Sequence, residues 1–206
     1  MSWLFLTLPA ASIGAALVEL DDTCIGQWML SRPIIVGPLF GAVLGSVWSG
    51  VAFGALFEAF SCEHSPVGGF LSFNGCVSAV CAVLLSAGPA ALPWPAAFPA
   101  ALGIGLFHAR WMEPFVRGLR ASIIQEMESD LMGTSPIPWQ RHLARSLLPH
   151  AAATAALVYC ACAAGSLLGW AWGVFPEILK DGLSRSFGWS LWLGWALLLD
   201  SLWRRS

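Results

Sequence analysis

The stretch that most constrains this chain runs from Arg32 to Asn74 and reads RPIIVGPLFGAVLGSVWSGVAFGALFEAFSCEHSPVGGFLSFN. No charged residue occurs between Pro33 and Phe57. Glycines stand at 37, 41 and 45 and then at 50 and 54, so two small-xxx-small ladders follow one another. Such spacing lets membrane helices approach closely, because only Gly, Ala or Ser leaves room for a neighbouring backbone. One helix over 33–57 would be roughly 37 Å long at 1.5 Å per residue, more than a hydrocarbon core of about 30 Å. The alternative is a re-entrant hairpin in 33–62, broken near Ser46–Ser49, and the two ladders, out of phase with each other, favour the break. Irregular backbone at that depth survives only when buried in protein or facing water. The two readings put Glu58 on opposite sides of the membrane.

Composition supplies the class. The chain is 57% hydrophobic and 11% charged, whereas soluble domains carry about 25% charge. This predicts an all-α polytopic membrane protein with about six membrane segments. Twelve tryptophans and one tyrosine suit an aromatic belt at the lipid headgroups, and packing between helices accounts for some of them equally well. A net charge of -2 without a basic stripe gives no reason to expect a nucleic-acid partner. The cysteines, Cys24, Cys62, Cys76, Cys81, Cys160 and Cys162, form no C-x-x-C pair. They read as small buried side chains, and neither a zinc site nor any other cofactor is expected.

The N-terminal MSWLFLTLPAASIGAALVEL lacks the basic start of a signal peptide. It reads as a retained membrane helix, about Trp3 to Val18, ending at Glu19, Asp21 and Asp22. Two more apolar stretches, about 69–88 and 94–109, are joined by the Pro-rich GPAALPWPAAFP, and the second ends at His108-Ala-Arg110. Residues 110–147 hold five arginines, which the positive-inside rule places in the cytoplasm. Within them RGLRASIIQEMESDLM reads as an amphipathic surface helix with Ile123, Ile124, Met127 and Leu131 on one side. A helix from about Leu148 to Trp172 then crosses outward. Another, about Phe187 to Trp203, returns and ends at Arg204-Arg205 on the cytoplasmic side. The chain thus divides into a membrane region, 1–109, with the candidate pocket, a cytoplasmic loop, 110–147, and C-terminal membrane helices, 148–206.

No P-loop, GxSxG, HExxH or paired-histidine spacing is present, so the chain is not expected to be an enzyme. Glu58 is the first candidate binding residue, since a carboxylate in a dry pocket accepts hydrogen bonds from two ligand hydroxyls. The plain alternative is a helix-end carboxylate solvated among headgroups. Glu63 and His64 read as solvated loop residues. Asn74 offers both donor and acceptor, and helix capping explains it about as well. Asp21, Asp22, Gln27 and Arg32 form a second polar group, in which pairing of Arg32 with one aspartate is the simplest role. Asp200 and Arg204 read as an i,i+4 pair.

The segment from LDDTCIGQWMLSRPIIVGPLFGAVLG to GVAFGALFEAF, followed by PVGG, resembles the IIC membrane subunit of mannose/fructose/sorbose-family sugar phosphotransferase systems. Ser31, Arg32, Pro33, Gly37, Gly41, Gly45, Gly50, Gly54, Glu58, Pro66, Gly68 and Gly69 match the family pattern, and FPEILKDGL, at Pro176, Glu177 and Gly182, gives a second match. The family carries Asp in a P-P-D-like motif where this chain has Asn74, and its pattern continues with a further apolar hairpin past the position of Ser206.

The resemblance implies a sugar permease in the bacterial inner membrane that works with a IID membrane subunit. Cytoplasmic IIA and IIB proteins, supplied by HPr, would phosphorylate a hexose or amino-hexose that the IIC subunit binds and moves. Glu58, Asn74, Gln27, Asp22 and Arg32 are then the expected substrate-binding residues, and a homo-oligomer is compatible with all of this. Two rivals stand beside it. One is a non-transporting assembly or sensor subunit on the same fold, to which Asn74 points. The other is the substrate-binding subunit of an ATPase-driven vitamin or metal importer.

Overall fold

A computed structural model of the chain describes residues 2–23, 28–61, 73–89, 91–131 and 139–205. Every regular element among them is helical. A π-helical turn, Trp3–Thr7, leads into α1, Leu8–Thr23. There follow α2, Pro33–Val43, α3, Val47–Ser61, α4, Gly75–Ala87, and α5, Trp94–Phe107. A second π-helical turn, His108–Met112, joins α5 to α6, Glu113–Leu131. The C-terminal part is α7, Trp139–Ala163, α8, Gly165–Val174, and α9, Glu177–Arg205.

The uncharged run is two helices and not one. Phe40, Gly41 and Ala42 accept the last backbone hydrogen bonds of α2, from Leu44, Ser46 and Gly45. Gly45 then takes φ +73°, a left-handed conformation that glycine adopts without steric cost. The break therefore falls at Leu44–Ser46, just ahead of the expected Ser46–Ser49, because the glycine rather than the serines makes the turn. Ser46 and Ser49 instead start α3, where the Ser49 hydroxyl donates to the Ser46 carbonyl at 2.8 Å.

The glycine ladders face each other across this hairpin. A Cβ on Gly37 would sit 2.8 Å from Cα of Gly54, and one on Gly41 would sit 3.0 Å from Cα of Gly50. Both obstacles are backbone, so no rotamer change relieves them. At 1.5 Å per residue, α2 and α3 measure about 17 Å and about 23 Å. Each alone is shorter than a hydrocarbon core of about 30 Å.

Against the hairpin lies α4, in which every residue from Cys76 to Leu85 is buried. Its sequence is apolar on all sides, the pattern of a helix enclosed by others. Phe53 and Phe57 of α3 pack towards α5, with Phe57 stacked on Phe98 at 5.2 Å and Phe53 tilted on Trp94 at 5.4 Å. α1 packs along α7.

Among the described residues, two segments are long and apolar enough to cross a membrane, Trp3–Asp21 and Trp139–Val174. The second extends the expected 148–172 crossing backwards through 139–147, the end of the expected loop. It is interrupted only at Ala164, between α7 and α8.

Candidate functional site

Asn74 sets the geometry of the site. Its backbone is extended (φ -83°, ψ 103°) and its Oδ1 accepts from Val77 N at 3.0 Å, so it caps the N-terminus of α4. Capping leaves the amide nitrogen free to reach across the bundle. Nδ2 lies 3.2 Å from Glu19 Oε1 and 3.3 Å from His108 Nδ1. Close approach of Gly105 on α5 secures this position: Asn74 N donates to the Gly105 carbonyl at 3.1 Å, and a Cβ at 105 would meet the Asn74 carbonyl oxygen at 2.8 Å.

From Asn74 a polar network runs inward. The second carboxylate oxygen of Glu19 is hydrogen-bonded to His150 Nε2. His108 Nε2 is 3.0 Å from the Thr154 hydroxyl, one helical turn beyond His150 on α7. Glu19, His108, His150 and Thr154 are 1%, 1%, 3% and 1% exposed. Burying that many polar groups costs free energy unless they bond to one another, which explains why α1, the π-helical turn and α7 converge here. If Nδ1 of His108 accepts from the Asn74 amide, its Nε2–H donates to Thr154.

Outward, the network opens onto a polar cavity of about 320 Å³ lined by Glu19, Ser31, Arg32, Ser61, Asn74 and Glu113, among others. Glu113 Oε1 lies 3.9 Å from His108 Nδ1, and its other oxygen is held by Arg117 at 2.9 Å.

Arg32 and Asn74 thus meet at one cavity, as residues 42 apart in sequence. Glu58 does not line it. Its Oε1 is 3.4 Å from Arg32 Nη1 and its Oε2 is 3.4 Å from Ile34 N, at the start of α2. It therefore ties the end of α3 to the start of α2 and stands behind Arg32. On its other side is an apolar groove of about 410 Å³ between the hairpin and Trp195 and Leu198 of α9.

Among the described side chains, Arg32 pairs with Glu58 and not with Asp21. Both Asp21 oxygens are already occupied, accepting from Trp28 N at 2.9 Å and Leu30 N at 2.8 Å. Gln27, Glu63 and His64 lie outside the described residues, as do the side chains of Asp22 and Arg204.

Sequence reasoning missed His150 and Thr154 and gave Glu19 and His108 no role. Their signal was isolation: a histidine and a threonine at i,i+4 in the uncharged run LLPHAAATAALVYC.

An all-helical bundle with two membrane-length apolar segments has the build of an integral membrane protein, and its buried polar network opens to a cavity. The family described as "PTS system sorbose-specific IIC component" matches residues 5–206, nearly the whole chain, and the protein belongs to that family. It is accordingly a sugar-transport subunit of a phosphotransferase system, integral to the cell membrane. A solved structure described as "Structure of membrane protein" superposes with a TM-score of 0.75 at 16% identity. The match covers 96% of this chain and 80% of that one, and bears on the fold. A comparison with curated protein sequences finds no match.

Proposed function

We propose that the chain is the sugar-translocating IIC subunit of a mannose-family phosphotransferase system, paired with a IID membrane subunit. In this reading IIB, recharged through IIA and HPr, phosphorylates a hexose or amino-hexose at the inner face. The observation that carries it is the coincidence of the family match with a polar cavity in a hydrophobic bundle. Its 320 Å³ lies at the lower end of the roughly 300–1,000 Å³ of small-molecule pockets. Arg32, Asn74, Glu19 and Glu113 supply both donors and acceptors for hydroxyl groups, and Glu58 holds Arg32 in place. Asp22 and Gln27 belong to the same proposed site. The α2–α3 hairpin is re-entrant and about six segments enter the membrane. The first 109 residues carry the pocket apart from Glu113, while the rest of 110–147 and the C-terminus face the cytoplasm.

The test is uptake and phosphorylation of labelled hexoses in cells carrying the partner subunits. Arg32→Gln, Asn74→Ala and Glu58→Gln are each expected to lower uptake at least about tenfold, equivalent to about 1.4 kcal/mol. Unchanged uptake in all three sinks the site assignment.

One observation favours a second reading, a non-transporting assembly or sensor subunit on the same fold. The side chain of Asn74 is spent on internal partners, Val77, Glu19 and His108. No uptake by the unaltered chain, with partners present and assembled, selects that reading.

A further inference from the structure

The innermost part of the network has a composition that sugar binding does not require. Glu19 on α1, His108 in the π-helical turn and His150 on α7 each offer one ligand atom, and these atoms all lie within 4.8 Å of one another. All three side chains are almost wholly buried. Among the described residues, no lysine or arginine pairs with Glu19. His150 Nδ1 is buried and has no hydrogen-bond partner. An imidazole nitrogen left unpaired in a dry core shows that hydrogen bonding within the cluster is incomplete.

We propose that Glu19, His108 and His150 bind one divalent transition-metal ion of the zinc class, with Glu113 as the fourth donor from the cavity side. Bonds of about 2.0–2.1 Å put tetrahedral donors about 3.3 Å apart, so side-chain rotation within the 4.8 Å cluster brings its three donors to bonding range. Two imidazoles and two carboxylates, with no thiolate, suit zinc and its neighbours. Two neutral imidazoles and two carboxylates carry a charge that a divalent ion cancels. Thr154, 3.0 Å from His108 Nε2, is the outer hydrogen-bond partner that fixes the ring, and the metal takes Nδ1 in place of the Asn74 amide, which lies 3.3 Å from it. Glu113 keeps one oxygen on Arg117 and turns the other towards His108. Glu19 and Glu113 also line the proposed sugar cavity, but the metal titration uses no sugar, so its failure and the failure of the sugar reading are distinguishable.

The full chain, purified in detergent and stripped with a chelator, is titrated with Zn²⁺ and with Co²⁺. One ion per chain is expected, with visible Co²⁺ bands that Zn²⁺ abolishes. Glu19→Gln and His150→Ala are expected to weaken Zn²⁺ binding about a hundredfold or more, and Thr154→Val about tenfold. His142→Ala, on a buried histidine outside the cluster, leaves binding unchanged. Absence of cobalt bands in the folded, unaltered chain overturns the proposal even if the cluster variants fail to fold. Equal binding by Glu19→Gln, His150→Ala and the unaltered chain overturns it as adventitious.

Discussion

The amide nitrogen of Asn74 lies between Glu19 Oε1 and His108 Nδ1, at 3.2 and 3.3 Å, while its carbonyl oxygen caps α4. One side chain thereby joins α1, the end of α5 and the start of α4. Asn74→Ala removes the cap, which is worth about 1 kcal/mol, and leaves buried acceptors unpaired at about 1–3 kcal/mol. Asn74→Asp keeps a capping oxygen but sets a second carboxylate beside Glu19. Both variants should melt below the parent in detergent. If Asn74→Asp melts with the parent, the predicted conflict between the two side chains is absent.

The hairpin predicts a sharp contrast among glycines. Gly37→Ala and Gly50→Ala push a methyl group into backbone across the α2–α3 interface. Overpacking of this kind costs about 1–3 kcal/mol or more. A methyl group added at Gly103, within α5, would meet nothing within 4 Å. Replacing that glycine with alanine should be neutral or stabilising by up to about 1 kcal/mol, the difference in helix propensity. Equal melting temperatures for Gly37→Ala and Gly103→Ala would contradict the packing described.

These glycines also mark how far the sequence can be read. Their i,i+4 spacing announces a close helix pair, and the pair is there. The expected turn falls slightly late because serines at 46 and 49 look like loop residues. Gly45, which reads only as a rung of the ladder, supplies the left-handed turn. The charged pairing is legible in kind but not in partner: Arg32 needs a carboxylate, and three-dimensional proximity chooses Glu58 over Asp21. The Glu19–His108–His150 centre is not legible. Its members lie 89 and 42 positions apart along the chain, and motif spacing detects only ligands that are neighbours in sequence. Helix packing brings them together.

Arg32 and Glu58 offer a measurement of how much the ion pair itself stabilises. The Arg32 side chain is 47% exposed and the contact is 3.4 Å long. A double-mutant cycle with Arg32→Gln and Glu58→Gln should give a coupling below about 1 kcal/mol, as for other exposed pairs. Glu58→Gln alone should cost little stability, since glutamine still offers an oxygen to Ile34 N. A coupling of several kcal/mol would place the pair in a much drier setting than its exposure indicates.

Asp21 holds the start of the connection between α1 and α2. It is 5% exposed, and its two oxygens accept from the backbone of Trp28 and Leu30. Between those residues Met29 adopts φ 64°, a left-handed conformation that costs a non-glycine residue about 1–2 kcal/mol. The two charge-assisted hydrogen bonds offset that strain and aim the chain so that Arg32 arrives at the cavity. Asp21→Ala removes both acceptors at once, and is expected to destabilise by about 1–3 kcal/mol. Asp21→Asn retains one acceptor oxygen and should fall between. The local consequence is distinct from a general loss of stability: amide exchange at Trp28 and Leu30 should rise more than exchange within α4. If exchange rises uniformly along the chain, Asp21 acts on the bundle as a whole and the turn is held by something else.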